Sequence, residues 1–281
     1  MELTPYGLWV TSAIGEERLG DAAVLAQDLG FGALWLGGSP RLLSLQPMLE
    51  RARQLTVAMG IVNVWQYDPA TLAAEFTELN AEFPGRVLVG IGVGHREATP
   101  QYGRPLSKMR AFLAGIEAAP HPIPREQMVL AALAPKMLDL SAERTLGIHP
   151  YFTPPAHTRA ARAQLGDRAL IAVEQAVVIS SDPERAATVA RSYAARYLTL
   201  RNYTDNLQRH GFTDQDVANG GSARLIDAII PQGDAHAAAA AVRAHLQAGA
   251  NHVCVQTLES DGAIERDWQD LAAALGISAH R

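Results

Sequence analysis

Short, almost wholly apolar runs alternate along this chain with stretches in which apolar residues return every three or four positions. The runs read as strands at residues 6–11, 33–36, 55–64, 86–91, 128–133, 148–152, 171–179 and 253–257. Continuous apolarity, rather than apolarity at every second residue, is the pattern of a strand covered on both faces. The intervening stretches read as helices at 17–29, 108–118, 135–144, 234–248 and 263–275, with a less regular one containing Pro47 at 42–53. Another opens at Asp68-Pro69, carries its apolar stripe on Leu72, Phe76, Leu79 and Phe83, and closes at Gly85. Asp caps free N–H groups there, and Pro occupies the first helical position, where no N–H is needed. Thr153-Pro154 and Asp182-Pro183 open two more, the second reaching about Arg196. Gly30, Gly147 and Gly249 each stand between a helix and the next strand.

Strands alternating with helices imply parallel strands and right-handed crossovers. Eight such strands fit a closed (β/α)8 TIM barrel, taken as one domain over residues 1–281; an open doubly wound sheet is the alternative. The rhythm breaks over about 199–231, which reads as short helices around a Gly220-Gly221 turn, a helical insertion before the eighth strand.

Composition narrows the chemistry. A net charge of −5, with acids and bases interspersed, gives no footprint for nucleic acid or an anionic membrane. Cys254 is the only cysteine and lies in the apolar VCVQ, so it reads as buried. The start, MELTPYGLWV, lacks a signal-peptide pattern, and no apolar run reaches the ~20 residues of a membrane span. A cytoplasmic protein is the expectation. The nine histidines show no metal-ligand spacing.

In a barrel, sites form where strands end. That rule selects Trp9 and Thr11, Gly37-Gly38-Ser39, Asn63 to Gln66, Val93 to Arg96, Ala134 to Lys136, and His149 to Tyr151, with Glu174 and Gln175 in range of the same cavity. Gly90-Ile91-Gly92-Val93-Gly94 is not a dinucleotide fingerprint, because it lies in the fourth unit and the polar loop HREATPQYG follows it. Its glycines admit either a neighbouring backbone or a flat ring, and the ring is the favoured reading. His95 is the candidate for proton transfer near neutral pH, against the plainer reading of a loop histidine. His149, inside a strand pattern, reads as a core histidine. Ala134-Pro135-Lys136 opens a helix and carries one of only two lysines, which suits a phosphate or, equally, a cap beside a solvated lysine. Trp9, Trp35 and Trp65 read as core residues or as a stacking wall.

The segments GIVNVWQYDPATLAAEF, PGRVLVGIGVGH, VLAALAPKMLDLSAER, LGIHPYFTPPAHT, EQAVVISSDP and GANHVCVQTL, in this order, resemble the luciferase-like flavin and deazaflavin oxidoreductases. More narrowly they are similar to the actinobacterial subgroup that uses the 5-deazaflavin coenzyme F-420. The resemblance implies a (β/α)8 fold with an insertion before the eighth strand. It implies a bulge within Met59-Gly60-Ile61 behind the deazaflavin ring, often with a non-prolyl cis peptide. Asn63, Val93 and Gly94 would line the ring, the amides around Ala134-Pro135-Lys136 would receive the phosphate of the cofactor's side chain, and the subgroup's HPY segment maps onto His149-Pro150-Tyr151. His95 would exchange the proton that accompanies a hydride transfer at carbon 5. Sugar-phosphate dehydrogenase relatives carry an acid–His pair after the second strand, where this chain has Gly37-Gly38, so their substrate does not carry over. FMN is the alternative cofactor, in a monooxygenase of the same fold, and a non-catalytic binding protein is a third reading. The family commonly forms homodimers.

Overall fold

A computed structural model describes residues 3–38, 41–258 and 264–278; Ser39 lies outside the described residues, as does the first residue of the expected last helix, Ala263. Its strands are β1 (Tyr6–Thr11), β2 (Ala33–Gly37), β3 (Thr56–Asn63), β4 (Val87–Gly92), β5 (Met128–Leu130), β6 (Gly147–Ile148), β7 (Leu170–Ile179), β8 (Gln232–Gly233) and β9 (His252–Thr257). All pair in parallel, in the order β6-β5-β4-β3-β2-β1-β9-β7, and β6 pairs with β7 to close the ring. That pairing makes a closed barrel of eight staves and excludes the open sheet. The ninth strand, β8, is a two-residue appendage on Val178 and Ile179 at the end of β7.

The helices are α1 (Glu16–Asp28), α2 (Gln46–Arg51), α3 (Pro69–Glu82), α4 (Pro105–Glu117), α5 (Pro135–Arg144), α6 (Pro155–Leu165), α7 (Pro183–Tyr197), α8 (Arg201–Arg209), α9 (Asp214–Val217), α10 (Ala223–Ile229), α11 (Ala235–Gln247) and α12 (Ile264–Leu275). Asp68 caps α3 by accepting from the Thr71 N–H, and Asp182 caps α7 through the Glu184 and Arg185 N–H groups. α4 starts earlier than its apolar stripe indicates: Arg104 caps it in the left-handed region and Pro105 fills its first position. No described helix is long and apolar enough to cross a membrane.

Strand residues alternate between two cores, which explains their continuous apolarity. Leu8, Leu34, Val57, Met59, Val87 and Val89 pack outward beneath the helices. Trp9, Trp35, Ala58, Leu88, Val129, Ala172 and Cys254 form a smaller cluster inside the barrel. Trp35 centres the latter. Its indole stacks on His149, with centroids 4.1 Å apart, and its N–H donates to His252 Nε2 at 3.0 Å. His252 Nδ1 in turn donates to the Thr4 carbonyl, so one tautomer satisfies both bonds.

Candidate active site

A cavity of about 710 Å³ opens where the barrel strands end. Its floor is built by an irregularity in β3. Met59 pairs with Val89 but Val62 with Ile91, so β3 carries one residue more than β4 across the same interval, and the Gly60–Ile61 peptide within it is cis. The extra residue has to go somewhere, and β4 makes the room. A Cβ on Gly90 would stand 2.1 Å from the Met59 carbonyl oxygen and 2.9 Å from Ile61 Cγ2, and one on Gly92 would stand 2.6 Å from Ile61 Cδ1. Gly90 thus admits the neighbouring strand's backbone, which corrects the ring reading at that position, whereas Gly92 and Gly94 line the cavity.

Two further glycines clear space around Trp9. A Cβ on Gly37 would fall 2.0 Å from the Trp9 ring, so the indole fills the ground above β2. A Cβ on Gly60 would lie 2.9 Å from Trp9 Nε1 and 3.2 Å from His149 Nε2. Both nitrogens are buried without a hydrogen-bond partner. His149 Nδ1 donates to the Ala172 carbonyl at 2.9 Å, and burial lowers the His149 pKa to about 4, so the ring is neutral.

The rim is tied by side chains. Asn63 accepts from the Trp65 N–H at 3.0 Å, and the Trp65 indole donates to the Val93 carbonyl at 2.8 Å. Lys108 stands over Trp65 at 5.0 Å. Gly94, at φ +60, leaves room for the Asn63 amide, 2.7 Å from where a Cβ would be. His95 meets the opposite wall: its Nδ1 donates to Asn202 Oδ1 at 3.0 Å, and the Arg201 N–H donates to Glu97 at 3.2 Å. These two bonds join the loop after β4 to the start of α8.

The inner wall is a tyrosine cluster. Tyr151 donates to Gln256 Oε1 at 3.0 Å, Tyr193 donates to the same oxygen at 2.8 Å, and the Tyr151 hydroxyl also meets those of Tyr193 and Tyr197. Tyr197 and Tyr193 lie one turn apart on α7, and Tyr203 on α8 packs against Tyr151 and Phe152. Behind them Glu174 is buried, its Oε1 unpartnered and its Oε2 accepting a long bond from the Phe152 N–H at 3.4 Å. Burial pushes its carboxyl up to about 8. Gln175, next on β7, turns outward and donates to Ala176 and Ile229 carbonyls.

The structure brings Gly60, Ile61, Asn63, Val93, Gly94, His95, Ala134, His149 and Tyr151 onto this one cavity. It places three expected residues elsewhere. The Met59 side chain packs in the outer core, because the alternation of β3 points it at the helices, and only its carbonyl meets the bulge. Pro135 and Lys136 are exposed on the first turn of α5, beside the wall. Sequence reasoning passed over the wall supplied by Tyr197, Asn202, Tyr203, Asp205 and Arg209. The available signal was the Tyr193/Tyr197 spacing, which puts two phenols on one helix face just before the insertion.

The cavity fits a flat, polar-edged cofactor. Its volume lies in the range of about 300–1,000 Å³ typical of such sites. Its floor carries no side chain at Gly60 but has two unpartnered ring nitrogens beside it. At one edge α5 begins at Ala134 with no side-chain cap; Pro135 has no N–H and the Met137 N–H turns back to the Ala134 carbonyl at 2.9 Å, which leaves the Lys136 N–H for an anion.

Residues 4–114 match the family model described as luciferase-like monooxygenase. The chain has the luciferase-like barrel fold. Among known proteins, a stretch of 101 residues is 32% identical to the F-420-dependent glucose-6-phosphate dehydrogenase of Intrasporangium calvum, and it covers 31% of this chain and 30% of that enzyme's length. Among solved structures, this luciferase-like barrel superposes on an F-420-dependent secondary alcohol dehydrogenase in complex with an F-420–acetone adduct, with a TM-score of 0.73, 14% identity, and coverage of 98% of this chain and 99% of that one. It also superposes on the oxygenating constituent of the 3,6-diketocamphane monooxygenase of Pseudomonas putida in complex with FMN, with a TM-score of 0.69, 12% identity and 98% coverage of both chains.

Proposed function

We propose that this luciferase-like barrel is a coenzyme F-420-dependent oxidoreductase that moves a hydride between a deazaflavin and a small organic substrate. The observation that carries the reading is the cavity floor, where the β3 bulge and Gly60 leave a surface without side chains beneath an aromatic wall. The partial match to an F-420-dependent dehydrogenase supports the same cofactor. When bound, the deazaflavin supplies a two-electron hydride carrier at carbon 5. Ile61, Asn63, Val93 and Gly94 would line its ring, and the uncapped start of α5 at Ala134 to Lys136 would receive its phosphate. The wall supplied by α8 would cover one side of the bound ring, and the bond between His95 and Asn202 ties that wall to the loop after β4. Gly37 beside the Trp9 indole leaves no room for the acid–His pair of the sugar-phosphate enzymes, which argues for a different substrate.

Parallel titrations with oxidised F-420 and with FMN test the reading. Micromolar binding of the deazaflavin with negligible FMN binding is expected; preference for FMN would sink it. The latter outcome would favour an FMN-dependent monooxygenase, the reading that the FMN-bound structural neighbour supports. Deazaflavin binding without oxidation of its reduced form by any member of a broad carbonyl and enone panel would instead favour a non-catalytic carrier.

A further inference from the structure

The cavity floor holds two polar atoms that the fold leaves unused. Among the described residues with a buried ring nitrogen lacking a hydrogen-bond partner, only Trp9 and His149 line the cavity. Each ring is held by its surroundings. The Trp9 indole sits where Gly37 carries no side chain and rests against Tyr151, with centroids 5.5 Å apart. The His149 imidazole stacks on Trp35 and donates from Nδ1 to the Ala172 carbonyl. That bond fixes the tautomer: with the proton on Nδ1, Nε2 presents a lone pair, whereas the indole Nε1 can only donate. The position that a Gly60 Cβ would take is 2.9 Å from Trp9 Nε1 and 3.2 Å from His149 Nε2. Two atoms so close to one point are near enough to each other for one oxygen to reach both. Leaving such groups unpaired costs free energy, and a donor beside an acceptor selects the ligand group that relieves both. A carbonyl or ether oxygen accepts only, and an ammonium donates only. A hydroxyl does both.

We propose that Trp9 Nε1–H and His149 Nε2 form a subsite for a hydroxyl group of the substrate, which accepts from the indole and donates to the imidazole. The proposal rests on the oxidoreductase reading and specifies its substrate as a hydroxyl-bearing compound. The pair is placed for a second ligand beside the cofactor. The ring lining proposed above, Ile61, Asn63, Val93 and Gly94, belongs to β3 and to the residues after β4. Trp9 lies on β1 and His149 follows β6, two staves away from β3 and from β4 on opposite sides. Both rings are fixed before the substrate arrives, so little ordering is lost on binding. Selectivity follows from the same geometry. A ketone keeps the bond from Trp9 but leaves His149 Nε2 buried and unpaired, and an ether of the same alcohol does the same with added bulk.

Side-chain nitrogen NMR of the full chain without cofactor tests the subsite, with the Trp9 and His149 resonances assigned through Trp9→Phe and His149→Phe. At pH 7 His149 should carry its proton on Nδ1 and leave Nε2 bare. A panel of secondary alcohols headed by cyclohexanol should contain members that move Trp9 Nε1 and His149 Nε2 together, and the matching ketone should move Trp9 Nε1 alone. Trp9→Phe should weaken alcohol and ketone alike, by roughly tenfold, and His149→Phe should weaken only the alcohol. A proton on Nε2, a panel in which no alcohol moves both nitrogens, or a ketone that moves His149 as the alcohol does overturns the proposal. So does oxidised F-420 that moves both nitrogens on its own, because the cofactor's ring edge would then occupy the pair. Gly60→Ala, whose methyl would stand against both nitrogens, should abolish the alcohol response and keep the Nδ1 tautomer; an unchanged response in that variant counts equally against the subsite. Failure of F-420 to bind would sink the oxidoreductase reading alone, since the alcohol titrations need no cofactor.

Discussion

Gly90→Ala should unfold or cripple this protein, although glycine to alanine is among the smallest substitutions available. The added Cβ would stand 2.1 Å from the Met59 carbonyl oxygen, where no side-chain rotation can relieve it. Relief requires the β3 bulge to withdraw from β4, and the bulge is pinned on both sides by the Met59–Val89 and Val62–Ile91 pairings. Overpacking a well-fitted core costs about 1–3 kcal/mol when side chains can yield, and a backbone collision sits at or above that range. A loss of about 3 kcal/mol lowers Tm by roughly 6–12 °C in a protein of this size. Gly92→Ala is the graded comparison. Its Cβ meets the end of the Ile61 side chain at 2.6 Å, which can turn aside, so a smaller loss is expected and Ile61→Ala should relieve it in the double variant. Gly103→Ala, whose Cβ would meet its nearest atom at 4.0 Å, serves as the control. Thermal denaturation of the set decides the matter. A Gly90→Ala variant melting with the control would mean that the β3 bulge does not rest on β4 as described.

The same two strands mark where sequence patterns lead and where they stop. Eight apolar runs correspond to the eight staves because each stave is buried on both faces, a property that composition alone reveals. Run ends are less legible. The pattern carries the fifth strand through Leu133, but the chain turns toward α5 after Ala131 donates to the Ile91 carbonyl. Pro150, without an N–H, and Phe152, at positive φ, end pairing in the sixth. The two residues of β8 leave no trace, since neither Gln232 nor Gly233 is apolar. For the glycines of β4, the need for close approach is readable but the approaching object is not. A register shift in β3 is a property of the pairing, not of either strand's local sequence. The α7–α8 wall is less legible for a related reason. The Tyr193/Tyr197 spacing marks one helix face, but it does not say whether that face lines a cavity or packs on a neighbour, and only the closed barrel brings it and Tyr203 to Tyr151.

Stability should peak near pH 7 and collapse steeply below about pH 6.5. Four histidines are buried in neutral form: burial lowers His149, His245 and His252 to about 4 and His157 to about 3, from an ordinary value of 6.5. A depressed histidine stabilises the fold fully above pH 6.5, and that contribution is lost as pH falls toward its folded value, because the unfolded chain takes the proton first. Geometry explains why the folded chain refuses it. Protonating His252 breaks the bond from the Trp35 indole, and His157 has no partner for either nitrogen. Glu174 acts in the opposite sense. Raised from 4.5 to about 8, it binds a proton in the folded chain that the unfolded chain has released, so its contribution favours low pH and fades as pH rises through 8. Near pH 5.5 the unfolded chain therefore holds about three protons more than the folded one, four from the histidines less one from Glu174, a slope of about 4 kcal/mol per pH unit. Carried to pH 4, that slope removes roughly 8–10 kcal/mol, enough to unfold a protein in the lower half of the ordinary range of about 5–15 kcal/mol. Between about pH 7 and 8 Glu174 outweighs the residual protonation of the unfolded-state histidines, with a slope below about 1 kcal/mol per unit and of reversed sign. Calorimetric Tm from pH 4 to 9 separates the two limbs. His245→Gln should remove about one proton from the acid slope, and Glu174→Gln should flatten the alkaline limb while leaving the acid one steep. A Tm that stays level between pH 7 and 4.5 would mean that these histidines are hydrated or paired, and a level alkaline limb in the wild type would mean that the folded chain holds Glu174 as a carboxylate.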